Sequence, residues 1–321
     1  MDNKKSPPKA SPEATINFYL QEEAGFLRIS GEDRLSFLQR QTTNDLEMLS
    51  PGQPLVTVLT SPTGRILDVL WVFDEAESFG VLTLPGKGQE TFNFLQSRIF
   101  FMDKVTLEDA SQEYAQVDLF GDEVDDFLLG LTNRKALEDG IFNLDDSGAG
   151  VRILIKMGFA HRLLVAHEVQ GKLLEWLKTR GAEPLAEESY ETLRVETGLP
   201  AARHELTEEY TPLETGFGWA VSDNKGCYTG QEVIARQINY DKVTRKLVGL
   251  QLTNTVQVGD TLFPTDSHQP VGKVTSFANS PRFGHVALAV IKRPFYETGN
   301  ELVAGEKGKN ILAKTTELPF R

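Results

Sequence analysis

Arg65-Ile66-Leu67-Asp68-Val69-Leu70-Trp71-Val72-Phe73 is the stretch on which the fold turns. Its β-branched and aromatic side chains read as a strand. Period two sets Asp68 on a face with Ile66, Leu70 and Val72, and puts Leu67, Val69, Trp71 and Phe73 on the other, so both faces are apolar enough to be buried. An acid inside such a strand must find a partner or shift its pKa upward. Asp68 is therefore a candidate functional carboxylate, and equally a structural one held by neighbouring backbone or by Arg65.

Outward from this strand, the turn Ser61-Pro62-Thr63-Gly64 joins it to Leu55–Thr60 as a hairpin, and Phe79–Leu84 reads as a third strand. Phe26–Ile29 alternates like a strand. Ser30-Gly31-Glu32-Asp33 then matches a capping box, predicting a helix with Leu35 and Leu38 on one face and an end at Thr42-Thr43-Asn44-Asp45. Asp45 suits a cap for the next turn or a ligand contact. Gln89–Phe100 is predicted helical and Lys104–Leu107 extended. Beyond it, strand Tyr114–Leu119, helix Glu123–Leu131, strands Val151–Lys156 and Arg162–Ala166, helix Val169–Thr179 and a short strand give the β-α-β-β-α-β order of a ferredoxin-like unit. Asp139–Gly150, rich in Asp and Gly, reads as a loop within it. Glu187–Glu196 is a helix closed by Gly198 and Pro200. From Lys246 on, short alternating segments between Gly, Pro and Asn turns predict a small all-β barrel or sandwich. The class is α+β first, then β.

A chain of 321 residues implies two or three domains. A single cysteine forbids an internal disulfide, fits a reducing compartment, and excludes a self-contained multi-thiolate metal site, so no metal is expected. Residues 1–14, polar and proline-rich, read as a disordered lead-in without the apolar core of a secretory signal, and no apolar run reaches membrane-spanning length. A cytoplasmic location is the expectation. The net charge of -13 argues against a broad nucleic-acid footprint. Lys225, Arg236, Lys242, Arg245 and Lys246 form a local basic run, either a solvated face or an anion site suited to phosphate or a polyglutamate tail. Phosphate-loop, dinucleotide and H-E-x-x-H motifs are missing.

The cysteine lies in Lys225-Gly226-Cys227-Tyr228-Thr229-Gly230-Gln231-Glu232. Gly226 and Gly230 suit a tight backbone that would present the thiol, and the chain reads as a helix from Gln231. Cys227 would then precede a helix N-terminus, where the macrodipole favours a thiolate, with Lys225 and Arg236 acting in the same sense and Glu232 against them. The competing reading is a small buried hydrophobe. A Cys–His pair with His204 or His285 is open. Glu196, in the last turn of its helix, carries a charge the macrodipole disfavours, which suits either a ligand contact such as the N–H donors of a pterin ring or an ordinary surface glutamate.

Leu193–Pro200, Tyr210–Glu214 and the cysteine octapeptide resemble the YgfZ family of folate-binding proteins, relatives of the glycine-cleavage T-protein (aminomethyltransferase). Ser30–Asp33, Phe37-Leu38-Gln39, Thr43-Asn44-Asp45, Gly64–Asp68 and Val271–Ser276 fit the same pattern, which covers the chain after residue 15. The resemblance implies a three-lobed fold of two ferredoxin-like α+β parts and a C-terminal β-barrel. Its parts would be residues 15–110 with 186–245 as a discontinuous folate-binding domain, 111–185 as a ferredoxin-like domain, and 246–321 as the barrel. Tetrahydrofolate or a one-carbon derivative would lie between the lobes. The implied contacts are Asp45, Asp68, Glu196, Trp219 and Arg236, with Cys227 and Asp68 as reactive groups. Where the T-protein often carries two adjacent acids, this chain has Asp68 and Val69. The resemblance thus implies a folate-dependent factor for assembly, maintenance or repair of iron–sulfur proteins, working through Cys227 on cluster proteins or carriers and affecting tRNA modification indirectly. The alternatives are an aminomethyltransferase of glycine cleavage and a folate-responsive interaction module without chemistry.

Overall fold

The computed structural model describes residues 16–23, 25–50, 53–121, 123–130, 151–157, 160–305 and 311–321. The predicted loop Asp139–Gly150 and the lead-in 1–14 lie outside them. Along the chain run β1 (Asn17–Gln21), β2 (Phe26–Ser30), α1 (Arg34–Gln41), β3 (Leu55–Thr60), β4 (Ile66–Asp74), β5 (Ser78–Leu82), α2 (Gly88–Gln96) and β6 (Thr106–Asp109). Then come β7 (Tyr114–Phe120), α3 (Val124–Leu129), β8 (Val151–Met157), β9 (Ala160–Ala166), α4 (His167–Thr179), β10 (Glu183–Pro184), α5 (Glu187–Thr197) and α6 (Gln231–Asn239). The last part holds β11 (Arg245–Leu252), β12 (Thr261–Pro264), β13 (Gly272–Ser280), β14 (Gly284–Lys292), β15 (Glu301–Ala304) and β16 (Ile311–Thr316).

Three sheets result. The first has the order β3-β4-β5-β2-β6, the middle one β10-β1-β7-β9-β8, and β11-β14-β13-β12-β15-β16 close into a barrel. The α+β class with a terminal β-barrel is as the sequence implies. The middle sheet keeps the ferredoxin-like neighbours β7-β9-β8 but admits β1 between β7 and β10. β1 runs antiparallel to β7 and parallel to β10, so an early strand completes the sheet of a later unit.

In the first sheet, the expected hairpin forms with one irregularity that reorients its residues. Leu59 pairs with Asp68 but Thr60 with Ile66, so Leu67 is the extra residue of a bulge. Ile66 thereby leaves the face assigned to it and joins Val69, Trp71 and Phe73 in one core cluster. Leu70 and Val72 pack on the opposite face with Phe37, Leu38 and Leu95 of α1 and α2. Asp68 shares the parity of Leu70 and Val72.

The capping box at Ser30–Asp33 does not form. Ser30 ends β2, the chain turns at Gly31 with φ +106°, and a Cβ there would lie 2.0 Å from the Lys104 carbonyl oxygen. The helix starts only at Arg34, and the Asp33 carboxylate accepts from the Lys104 amide at 2.9 Å instead of capping. α2 likewise stops at Gln96, short of Phe100, leaving Phe100, Phe101 and Met102 exposed. α5 ends as predicted on Gly198 in the left-handed region at φ +72°. Glu214, buried in the segment between α5 and α6, accepts two bonds from Arg245 at 2.8 and 2.9 Å and one from Arg65 at 3.4 Å, tying the start of β4 to β11.

Candidate functional site

A cavity of about 890 Å³ opens where the three sheets meet. β1, β4, α5 and the barrel residues Leu247 and Leu318 all contribute to it. Its aromatic walls are Tyr19, Trp71, Tyr190, Phe217 and Trp219. Tyr19 stacks on Tyr190 with centroids 4.1 Å apart, and Phe217 on Trp219 at 5.7 Å.

The floor is built by strand alternation. Odd residues of β7 such as Val117 and Leu119 join Phe18 and Leu163 in the core under α3 and α4. The even residues Gln116 and Asp118 turn to the other face, with Arg162 opposite Asp118 in the β7–β9 register and Tyr19 opposite it in β1. Arg162 donates through Nε to Asp118 Oδ1 at 2.6 Å and through Nη2 to Oδ2 at 2.8 Å. Gln21 Nε2 donates to Asp118 Oδ2 and to the Tyr190 hydroxyl, which itself lies 3.2 Å from Oδ2. Burial, and then the charge on Asp118, push the Tyr190 phenol above its ordinary range.

The candidates named by the sequence are dispersed. Trp219 is 65 % exposed and lines the cavity. Asp68 is fully buried on the α2 side of β4, the face opposite Trp71, and does not border the cavity. Its Oδ1 accepts from the amides of Val69 at 2.8 Å and Leu84 at 3.1 Å, and its Oδ2 from the Thr91 hydroxyl at 2.6 Å. Desolvation outweighs these bonds and pushes its carboxyl up to about 7. Arg65 is not its partner, being engaged with Glu214. Glu196 is buried with its carboxylate turned to the barrel, where Ser280 Oγ donates at 2.6 Å and Arg282 lies at 4.0 Å. It too is absent from the cavity wall, although its neighbours Thr197 and Gly198 belong to it. Asp45 takes the capping alternative: its Oδ1 accepts from Glu47 N and from Gln39 Nε2 beside the 3₁₀ turn Leu46–Met48. Arg236 is exposed on α6.

Cys227 is exposed, as the reactive reading requires, in the loop before α6. Lys225, expected to act on the thiol, points inward instead. Its Nζ donates to the carbonyls of Thr42 at 2.7 Å and Asn44 at 2.6 Å and lies 5.3 Å from the Tyr228 ring centroid. Burial lowers its pKa to about 8. The lysine thus satisfies carbonyls left over where α1 ends, and Tyr228 is buried beside it. Gly230 takes φ +85° and touches the β3–β4 turn: a Cβ would lie 2.5 Å from the Ser61 carbonyl oxygen. Thr60 Oγ1 donates to the Thr229 carbonyl at 2.6 Å from the same turn. His204 bonds the Thr275 carbonyl oxygen and His285 the Asn279 side chain, and no hydrogen bond joins either to Cys227. None of residues 225–232 lines the cavity. Nor does the basic run form one anion site, because Lys225 is inward and Arg245 is held by Glu214. Among the described residues no group of three or more His, Cys, Asp or Glu could hold a metal ion.

Residues 21–147 match the GCVT N-terminal domain, and residues 245–321 match the glycine cleavage T-protein C-terminal barrel domain. The chain belongs to the glycine cleavage T-protein family. A putative chloroplastic transferase of Arabidopsis thaliana is 32% identical over 305 residues, covering 92% of this chain and 69% of that protein. An aminomethyltransferase of Listeria welshimeri is 30% identical over 308 residues, covering 92% and 84%. The crystal structure of glycine cleavage system aminomethyltransferase T from Bartonella henselae superposes with a TM-score of 0.83 at 22% identity, over 96% of this chain and 87% of that one, a likeness of fold.

In this T-protein-family chain the groups that sequence reasoning missed are Asp118, Arg162 and Tyr190. A signal existed: Gln116 and Asp118 alternate with Val117 and Leu119, giving β7 one polar face that neighbouring elements bury. That Arg162 would stand opposite Asp118 needed the β7–β9 register.

Proposed function

We propose that this chain binds tetrahydrofolate, or a one-carbon derivative of it, in the cavity among the three sheets. The observation that carries this reading is an aromatic-walled cavity of about 890 Å³, within the roughly 300–1,000 Å³ usual for small-molecule sites, in a chain of the T-protein family. A reduced folate fits the donor set: flat rings flank the space, and a buried arginine on its floor keeps one nitrogen without an acceptor. Tyr19, Trp71, Tyr190 and Trp219 would hold the ring system. Calorimetric titration with tetrahydrofolate under anaerobic conditions tests the reading. Saturable one-to-one binding is expected, and no heat at millimolar ligand would end it.

The relatives named aminomethyltransferases make folate-dependent aminomethyl transfer the activity to assay first. Bound folate would supply the acceptor for the one-carbon unit; the chain would position it and exclude water. Asp68, the acid suggested for this chemistry, is sealed behind β4, so transfer and binding are separately testable. Formation of methylene-tetrahydrofolate from an aminomethylated lipoyl carrier decides the former.

One observation favours a second reading, the YgfZ-like factor acting on iron–sulfur proteins: the sole cysteine is exposed on a loop fixed to the rigid β3–β4 turn. Such a factor would lose its support of cluster enzymes, and indirectly of tRNA modification, on Cys227→Ala while keeping folate affinity. Full support by that variant would remove this reading.

A further inference from the structure

We infer that Arg162 reads the lactam carbonyl of the bound heterocycle through Nη1, making it the residue that distinguishes a 4-oxo pterin from its 4-amino analogue. This deepens the folate reading and rests on it.

Arg162 is 3 % exposed and borders the cavity. Two of its three nitrogens are consumed by Asp118, as described, while Nη1 has no hydrogen-bond partner. A buried donor left unmade costs free energy, so an acceptor supplied by a ligand gains an interaction the free protein lacks. The guanidinium is not loose. Asp118 fixes it in plane from one side, and the ring of Trp71, another cavity residue, lies with its centroid 5.7 Å from Cζ. A donor held in plane beside an indole suits an acceptor in the plane of a flat ring.

The acceptor class follows from charge. Each arginine bordering the cavity already faces a carboxylate: Arg162 faces Asp118, Arg194 faces Glu191 and Glu205, and Arg203 faces Glu23. Glu22 and Glu187 add further negative charge to the same wall. Burial, and then the charges of Glu187, Glu22 and Glu191, raise the Tyr19 phenol above its ordinary value. No excess positive charge is left to attract a carboxylate tail. A neutral carbonyl accepts from Nη1 without that conflict, and the surrounding carboxylates favour a ligand edge that also carries N–H donors. The pyrimidinone edge of a pterin has both.

Calorimetry with 5-formyltetrahydrofolate, its 4-amino counterpart and the matching tetrahydropteroate lacking glutamate, on wild type and Arg162→Lys, tests the assignment. Lysine keeps a positive charge for Asp118 but lacks the second fork. Wild type should favour the 4-oxo ligand by about tenfold or more, the worth of one hydrogen bond to a charged donor. Arg162→Lys should bind the two with equal, weaker affinity, and loss of glutamate should matter little. Equal affinities in wild type, a preference surviving in Arg162→Lys, or a requirement for the glutamate overturns the assignment while folate binding stands. If the variant melts early, the wild-type preference alone decides. No binding of any of the three to wild type removes the folate reading and this inference together.

Discussion

Replacing Asp68 with Asn separates a structural carboxylate from a reacting one. The wild-type group is held protonated up to about pH 7 against an ordinary value of 3.8. Between these values the native chain keeps a proton that the unfolded chain has released. Raising the pH through this window therefore costs stability, with the loss complete above about pH 7. At about 1.4 kcal/mol per pH unit, the full span is worth roughly 4 kcal/mol. Asn keeps the geometry: its Oδ1 can accept from Val69 and Leu84, and its Nδ2 can donate to a rotated Thr91 hydroxyl. Urea unfolding followed by circular dichroism at pH 5, 6, 7 and 8 reads the difference. Wild type has lost about 1.7 kcal/mol of this span by pH 5, so the advantage of the pH-insensitive variant should grow by a further ~2.7 kcal/mol between pH 5 and pH 8. Parallel stability curves, or a variant weaker at every pH, would refute the placement of Asp68 as a sealed, neutral group. Aminomethyl transfer that vanishes in a stable Asp68→Asn protein would instead give the carboxyl a part in chemistry.

Lys225→Ala strands the Thr42 and Asn44 carbonyls and should cost roughly 1–3 kcal/mol while speeding proteolysis between Ser222 and Gly230; unchanged unfolding would show that the lysine does not anchor the loop. Gly230→Ala imposes a left-handed alanine against the Ser61 carbonyl and should lower stability by more than about 1 kcal/mol, read as a shifted urea midpoint. Native Cys227 should take up one equivalent of iodoacetamide without prior unfolding, and mass spectrometry would expose a protected thiol. Reduced folate should quench Trp71 and Trp219 but spare Trp176, which packs on Phe127 in the α3–α4 core. Single Trp→Phe variants assign the signal.

Much of the architecture was open to reading because it is local. The β3–β4 hairpin follows from alternation around Ser61–Gly64, α5 from its apolar spacing and Gly198, and the barrel from evenly spaced short strands. What escaped depends on partners distant in sequence. The bulge at Leu67 reverses Ile66 only because β3 dictates the register. The capping box failed because Lys104 competes for Asp33. Beside a cysteine, Lys225 reads as an activator, yet unsatisfied carbonyls nearly two hundred residues earlier draw it inward. In the sequence, Asp68 and Glu196 stand out as acids in unfavourable places. Both are indeed buried, but only the tertiary packing reveals that one faces α2 and the other the barrel. A cavity wall assembled from β1, β9 and α5 has no contiguous motif to find.

The placement of β1 bears on biosynthesis. Its backbone groups stay unmatched until residues 114–120 have left the ribosome, and its other edge until 183–184 follow. An emerging chain therefore carries an open-edged segment through the synthesis of a whole neighbouring sheet, a window in which a chaperone or a second nascent chain competes for it. For the same reason, cutting the gene between the two α+β parts would deprive the downstream piece of an interior strand, and that piece should not fold as an independent unit.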